Sequence, residues 1–215
     1  MSSVFYDIET IPLPLAQREH MRPNPWEFKT GNLKDPEKLK VKRAEMMKAW
    51  DKGEGAALDP MLGRIALIGM CVGDGPYEFI ADDDEKKMLL DWWKLVGDSE
   101  TGMCIAHNFR FDLGFIIRRS WLNGISVPMR FIQNAESYNP SMWGDTMKAW
   151  QLGDRQLAYV SLERLAAVFG VAPYQGEVTG KEFWKWWAKD KQACIDYNRW
   201  DVEATRECWW QMGGV

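Results

Sequence analysis

An α/β fold, with a mixed central β-sheet flanked by α-helices, is what this sequence predicts. Three observations lead there. Short apolar runs bounded by glycine and aspartate turns alternate with longer stretches whose apolar residues recur at helical spacing. The runs come in the order strand, strand, strand, helix, strand, helix, which suits a mixed sheet covered by helices. With 215 residues, 46% hydrophobic and 27% charged, the chain can build one well-buried domain and is short for two.

The first strand is the run Val4-Phe5-Tyr6, leading into Asp7-Ile8-Glu9-Thr10. Residues from about 13 to 60 read as an insertion with its own helix. Asp35 is its N-cap with Pro36 in the first helical position, Leu39, Arg43, Met46, Met47 and Trp50 recur along it, and Gly53 and Gly55 end it. Arg64 to Val72 and Tyr77 to Ile80 are strands joined by the turn Gly73-Asp74-Gly75-Pro76. An amphipathic helix follows Asp82-Asp83-Asp84, carries Met88, Leu89, Trp92, Leu95 and Val96, and stops at Gly97. Met103 to Ala106 is a short buried strand, and the pattern Leu113, Phe115, Ile116, Ile117 behind it is a helix with Asp112 in its first turn. Farther on, Ser161 caps a helix running to Gly170, Thr179 and Glu182 have the spacing of a capping box, and the last helix runs from about Asp190 to Met212. There is no internal repeat and no low-complexity segment.

A net charge of −4 argues against duplex binding through a broad basic face. The exception is local. From Lys29 to Lys52, eight basic residues (Lys29, Lys34, Lys38, Lys40, Lys42, Arg43, Lys48, Lys52) outnumber four acidic ones (Asp35, Glu37, Glu45, Asp51), an excess of four. A solvated helix face explains that excess as well as a nucleic-acid contact through Lys40, Lys42 and Arg43 does. Cys71, Cys104, Cys194 and Cys208 have no C-x-x-C spacing, which speaks against a zinc site or a disulfide framework. The start MSSVFYDIET has no basic region followed by an apolar stretch and no run reaches membrane-spanning length, so a cytoplasmic protein is expected. Of the 13 tryptophans, Trp184, Trp186 and Trp187 cluster at a spacing that suits core packing and leaves room for one ring to stack on an unpaired base.

Four acidic side chains carry the functional reading: Asp7, Glu9, Asp112 and Asp201. Residues two apart in a strand face the same side, so Asp7 and Glu9 stand side by side at the end of a buried strand. Two such carboxylates repel each other and lose hydration, so one must take a proton or a cation must sit between them. A divalent metal ion meets that need. Tyr197 and Asp201, four residues apart, share one face of the last helix, where the acid can hold a metal while the phenol orients a water molecule. Asp112 gains from the dipole at a helix N-terminus.

Asp7-Ile8-Glu9-Thr10 near the start, His107-Asn108-x-x-Phe111-Asp112 in the middle and Tyr197-x-x-x-Asp201 near the end resemble, in that order, the motifs of the DEDD exonucleases of the RNase H-like superfamily. The pattern extends from residue 7 to residue 201. Its tyrosine sub-type, DEDDy, is indicated, because a histidine sub-type would carry His where this chain has Asp196. The stretch from Asp7 to Pro12 is most similar to the opening of proofreading exonuclease domains of family B DNA polymerases and their free-standing relatives; only residues 202 to 215 follow Asp201, so no polymerase is expected.

The resemblance implies an RNase H-like fold and a free-standing 3′-to-5′ exonuclease. Its substrate would be single-stranded nucleic acid, DNA in preference to RNA, and its cofactors two divalent ions, Mg2+ or Mn2+. By the same analogy Asp7 touches both ions, Glu9 and Asp201 one of them, and Asp112 the other. Tyr197 orients the attacking water, since a phenol with a pKa near ~10 is a poor base at neutral pH. His107 has no catalytic role in this picture, and Asp145 belongs to an Asp-Thr element outside the metal site. Thr10 and Asn108 join Lys40, Lys42 and Arg43 as candidate nucleic-acid contacts, although Asn108 suits a loop-holding role better. Replication or repair proteins are conceivable partners. A 3′-to-5′ exoribonuclease and a non-catalytic nucleic-acid-binding module remain as alternatives, the second disfavoured because such a module gains nothing from clustered carboxylates.

Overall fold

Alternation along the first strand sorts the molecule into layers. The computed structural model describes residues 2–97, 101–136, 141–154, 156 and 159–214. Among these the chain runs β1 (Ser2–Pro12), α1 (Leu15–Arg18), α2 (Pro36–Lys52), β2 (Gly63–Val72), β3 (Tyr77–Ile80), α3 (Glu85–Gly97) and β4 (Thr101–Ala106). It continues through α4 (Phe109–Leu122), α5 (Met129–Glu136), β5 (Trp143–Asp145), α6 (Thr146–Gln151), α7 (Leu162–Val168), α8 (Phe183–Trp187) and α9 (Lys191–Gln211). Two compact units result, Met1–Glu9 with Ile65–Val215, and Thr10–Arg64.

The larger unit is built on one mixed sheet with strand order β3-β2-β1-β4-β5. β1 pairs with β4, and β4 with β5, in parallel, while β2 and β3 form an antiparallel pair. Val4, Tyr6 and Ile8 point to one face, where Met88, Leu89 and Trp92 of α3 and Leu113 and Ile116 of α4 cover them. Phe5 points to the other face and packs with Cys71, Ile105 and, from α9, Val202 and Trp209. Each such side chain, fully buried, contributes about 1.5–3 kcal/mol. Asp7 and Glu9 have the parity of Phe5, so the strand's own period delivers them to the side of the sheet that α9 covers.

One buried ion pair ties α3 to α4. Glu85 and Arg119 are each 7% exposed, and the guanidinium donates from Nη2 to Glu85 Oε2 at 2.6 Å and from Nε to Oε1 at 3.0 Å. The Ile65 N–H (2.8 Å) and the Asn123 side-chain amide (3.0 Å) complete the carboxylate's partners. That satisfies every condition for burying a charge.

The caps read from sequence at Asp35 and Ser161 form, and Asp190 caps the last helix. Asp35 Oδ1 accepts from the N–H groups of Glu37 (3.0 Å) and Lys38 (3.1 Å), Ser161 from Arg164 (3.3 Å), and Asp190 from Ala193 (3.0 Å). The expected Thr179–Glu182 capping box does not form. The backbone bond from Glu182 N–H to the Thr179 carbonyl (2.9 Å) closes that turn, α8 begins only at Phe183, and the Glu182 carboxylate pairs with Lys185 at 3.0 Å.

Within the smaller unit, α2 ends at Gly53, whose φ of 84° is the left-handed conformation a glycine adopts without strain. None of the 17 residues of α2 is buried, so the Met46, Met47 and Trp50 stripe is only half covered. Its C-terminal carbonyls are held by Arg18, itself 3% exposed, which donates to the carbonyls of Trp50, Asp51 (2.7 Å) and Leu13 (3.1 Å). A guanidinium at that end also complements the helix dipole.

Candidate active site

Three elements of the larger unit deliver the acids. β1 supplies Asp7 and Glu9, the first turn of α4 supplies Asp112, and α9 supplies Asp201 with Tyr197 one turn before it. Carboxylate oxygens of Asp7, Glu9 and Asp201 lie within 4.8 Å of one another. Asp112 stands outside that trio and is tied to β1 by the Ile8 N–H, which donates to its Oδ1 at 3.4 Å. Glu9, Asp112 and Asp201 are buried, and Asp7 is half-buried.

Burial pushes all four carboxyls up. Asp7 is raised to about 7, with the hydrogen bond from the Asn198 amide opposing the shift. Glu9 is raised well above the usual range by burial first and then by the charges of Asp7, Asp201 and Asp112. Asp112 is raised by burial and by Asp7, and the Ile8 N–H works against that. Asp201 is raised by burial and by Asp7, against a hydrogen bond from the Tyr197 hydroxyl. Among the described residues, no lysine or arginine bears on any of the four. A cluster of hard oxygen donors without a compensating side-chain cation fits Mg2+ or Mn2+.

Tyr197 is a donor here and a poor base. Burial, followed by the charges of Asp201, Glu9 and Asp7, raises its hydroxyl far above the ordinary phenol range, so it keeps its proton. Its ring is held by an edge-on contact with Tyr174 at 5.3 Å and a tilted one with Phe183 at 6.5 Å.

Asn198 is the member of the site that sequence reasoning missed. It is fully buried, donates from Nδ2 to Asp7 Oδ2 at 2.7 Å, and accepts from the Tyr77 hydroxyl at Oδ1 at 2.8 Å. Gly69 makes room for it, because a Cβ there would lie 1.7 Å from Asn198 Oδ1. The available signal was a glycine inside the otherwise apolar strand from Ile65 to Cys71, a mark of close approach by another group.

The remaining candidates are placed as follows. Asn108 adopts a left-handed turn (φ 62°), and its backbone N–H donates to Asp145 Oδ1 at 3.0 Å, so its backbone serves the loop. Asp145 Oδ1 also accepts from the N–H groups of Met147 and Lys148, a capping role apart from the acid cluster. His107 spends both ring nitrogens on structure, Nδ1 on Thr146 Oγ1 (2.8 Å) and Nε2 on the Val160 carbonyl (2.9 Å), and burial keeps it below its usual pKa. A carbonyl only accepts, so Nε2 carries the proton. Thr10 is buried. Lys40, Lys42 and Arg43 lie on α2 in the smaller unit, where Lys42 donates to the Thr30 carbonyl (3.1 Å) and Arg43 sits 4.3 Å over the exposed Trp26 ring. Of the tryptophan cluster, Trp187 is buried against Phe183, while Trp184 and Trp186 are half-buried beneath Lys185 and Lys189. All four cysteines are free and buried. No helix among the described residues is long and apolar enough to cross a membrane.

Compared as a sequence, the chain matches no protein-family profile and no curated protein. Compared as a structure, it is similar to the family B DNA polymerase from the hyperthermophilic archaeon Pyrobaculum calidifontis, with a TM-score of 0.60 and 13% sequence identity. The match covers 98% of this chain and 24% of the polymerase chain. The likeness is one of fold: nearly the whole of this chain, an α/β structure on a mixed five-stranded sheet, is similar to one part of a family B DNA polymerase.

Proposed function

We propose that this chain is a 3′-to-5′ exonuclease that removes nucleotides from single-stranded DNA with divalent metal ions. One observation carries the reading: Asp7, Glu9, Asp112 and Asp201 converge from three elements, each raised by burial and with no side-chain cation among the described residues to offset them. A protein has no structural reason to maintain that arrangement empty. The fold shared with a DNA polymerase supports nucleic acid as the substrate class.

Asp7, Glu9 and Asp201 would hold one ion, and Asp112 with Asp7 a second. Divalent ions held there supply Lewis-acid stabilisation of charge on a phosphodiester and make water a competent nucleophile near neutral pH. The rest falls to side chains. The Tyr197 hydroxyl donates to Asp201, which leaves its oxygen lone pairs free to accept from a water molecule and aim it at phosphorus. The water oxygen forms the new P–O bond, the P–O3′ bond breaks, and the proton passes from the water to solvent and thence to the departing 3′-oxygen. The products are a 5′-mononucleotide and a strand shorter by one residue. Lys40, Lys42, Arg43, Thr10 and Asn108 are the residues assigned to strand contact.

The test is digestion of 5′-labelled and 3′-labelled single-stranded DNA and RNA with Mg2+, Mn2+ or a chelator. A ladder from 5′-labelled DNA, immediate release of a 3′ label, and silence with the chelator or with Asp7→Ala are expected. Faster digestion of RNA would move the assignment to an exoribonuclease, and metal-independent or 5′-end cleavage would overturn it.

A further inference from the structure

Within the exonuclease reading, on which this inference rests, Asp7 has a partner that neither holds metal nor reaches substrate. Asn198 sits on α9 three residues before Asp201, with no measurable exposure, and its amide bridges two distant parts of the chain. Nδ2 donates to Asp7 Oδ2 at 2.7 Å, and Oδ1 accepts from the Tyr77 hydroxyl on β3 at 2.8 Å. Three facts show that the arrangement is specified. A carboxylate can only accept, so the amide nitrogen must face Asp7. A phenol can donate, so Tyr77 occupies the amide oxygen and removes the reason for the amide to turn over. On β2, Gly69 leaves open the space that Asn198 Oδ1 fills, since any Cβ there would stand 1.7 Å from that oxygen and 2.8 Å from Tyr77 Cε2. The Arg199 guanidinium lies 5.2 Å over the Tyr77 ring, and Phe79 stacks beside it at 6.2 Å, so the phenol is itself held.

We infer that Tyr77 and Asn198 are positioning residues for Asp7: they fix one carboxylate oxygen in a hydrogen bond and so present the other, in one orientation, to a divalent ion. Asp7 is the acid whose charge bears on Glu9, Asp112 and Asp201 alike, so its orientation sets the geometry of the whole cluster. Partners that orient metal-ligating carboxylates typically matter 10-fold to 100-fold in metal affinity.

The test is Mn2+ binding to the intact chain, read from the loss of the free-ion electron paramagnetic resonance signal and from titration calorimetry. Asn198→Leu keeps the volume and deletes the amide, and should weaken Mn2+ binding about 10-fold or more. Tyr77→Phe removes only a hydroxyl and retains the ring contacts, so it folds even if the Leu variant does not; it should weaken binding in the same direction by a smaller factor. A merely structural pair would lower the melting temperature without changing Mn2+ affinity. If Asp7→Asn abolishes Mn2+ binding while Tyr77→Phe and a folded Asn198→Leu bind like the parent, the positioning role is wrong and the metal site stands. If the parent chain binds no Mn2+, the metal site and this inference fall together.

Discussion

Two groups of buried carboxylates sit in the same unit, and they are treated in opposite ways. Glu85 is held by the Arg119 guanidinium, a backbone N–H and an amide, so its charge is answered inside the protein. Asp7, Glu9, Asp112 and Asp201 are buried together, answered by Asn198, the Ile8 N–H and the Tyr197 hydroxyl, all of them neutral donors. Neutral donors orient a carboxylate without cancelling its charge. The first group is thus finished by folding, and the second is the one the proposed metal ions would complete. That difference separates a structural carboxylate from a functional one without reference to any motif.

The largest expected effect lies in the second group. Asp7→Ala removes the acid shared by the whole cluster and should lower the rate of single-strand digestion by about 10⁴-fold or more, since each ~1.4 kcal/mol lost from transition-state stabilisation is tenfold. The fold should survive, because removing one of several repelling acids relieves strain. A variant digesting at the parental rate, in a labelled-oligonucleotide time course, would erase the distinction drawn above.

The same comparison predicts opposite signs in stability. Arg119→Met strands Glu85 without its counter-charge and should cost about 3–5 kcal/mol in urea unfolding. The double variant Glu85→Gln with Arg119→Met should recover most of that loss. Asp201→Asn, by contrast, removes a charge that no side-chain cation among the described residues offsets, and should raise the unfolding midpoint in chelator. Destabilisation by Asp201→Asn comparable to that of Arg119→Met would show that the two groups are alike.

Tyr197→Phe sharpens the comparison at the neutral donor nearest the chemistry. The ring contacts with Tyr174 and Phe183 remain and only the hydroxyl that donates to Asp201 is lost. Turnover at saturating substrate should fall about 10-fold to 10³-fold with little change in KM. Asp196 is roughly 100° around the same helix and exposed, so Asp196→Asn should leave turnover unchanged. A loss of turnover in Asp196→Asn with none in Tyr197→Phe would mean that the register of the last motif has been misread.

What the sequence made legible follows the range of the interaction. Strand parity put Asp7 beside Glu9, and helix periodicity put Tyr197 on the face of Asp201; both are local periods, and the three acids among them meet in one cluster. Caps at Asp35 and Ser161 are local as well. Asn198 escaped notice because its partners, Asp7 and Tyr77, are 191 and 121 residues away, and no spacing rule reaches that far. β5 was missed for a different reason: three residues, Trp143 to Asp145, are too few to show a period. The apolar residues of α2 align as their spacing indicates and none is buried, because periodicity states which residues align and says nothing of what covers them.

The smallest effect, and the one that tests the comparison without any substitution, is the dependence of metal stabilisation on pH. Asp7 has its carboxyl raised from 3.8 to about 7, so the folded chain binds a proton there that the unfolded chain releases at lower pH. A raised carboxyl means that the metal-free protein loses stability as pH climbs from about 4 to about 7, with no further change from this group above that range. A divalent ion binds the ionised form and competes with the proton, so its affinity rises across the same window. At an ion concentration about ten times Kd the stabilisation is about 1.4 kcal/mol, or ~3–6 °C in melting temperature for a chain of this size. Melting curves with Mg2+ and with chelator should therefore nearly coincide at pH 5 and separate by pH 8. Glu85, already paired with Arg119, takes no part in this, so Glu85→Gln should leave the gap between the two curves at pH 8 unchanged. A gap of equal size at pH 5 and pH 8, or no gap at either, would show that the acids of β1, α4 and α9 are as fully answered within the protein as Glu85 is.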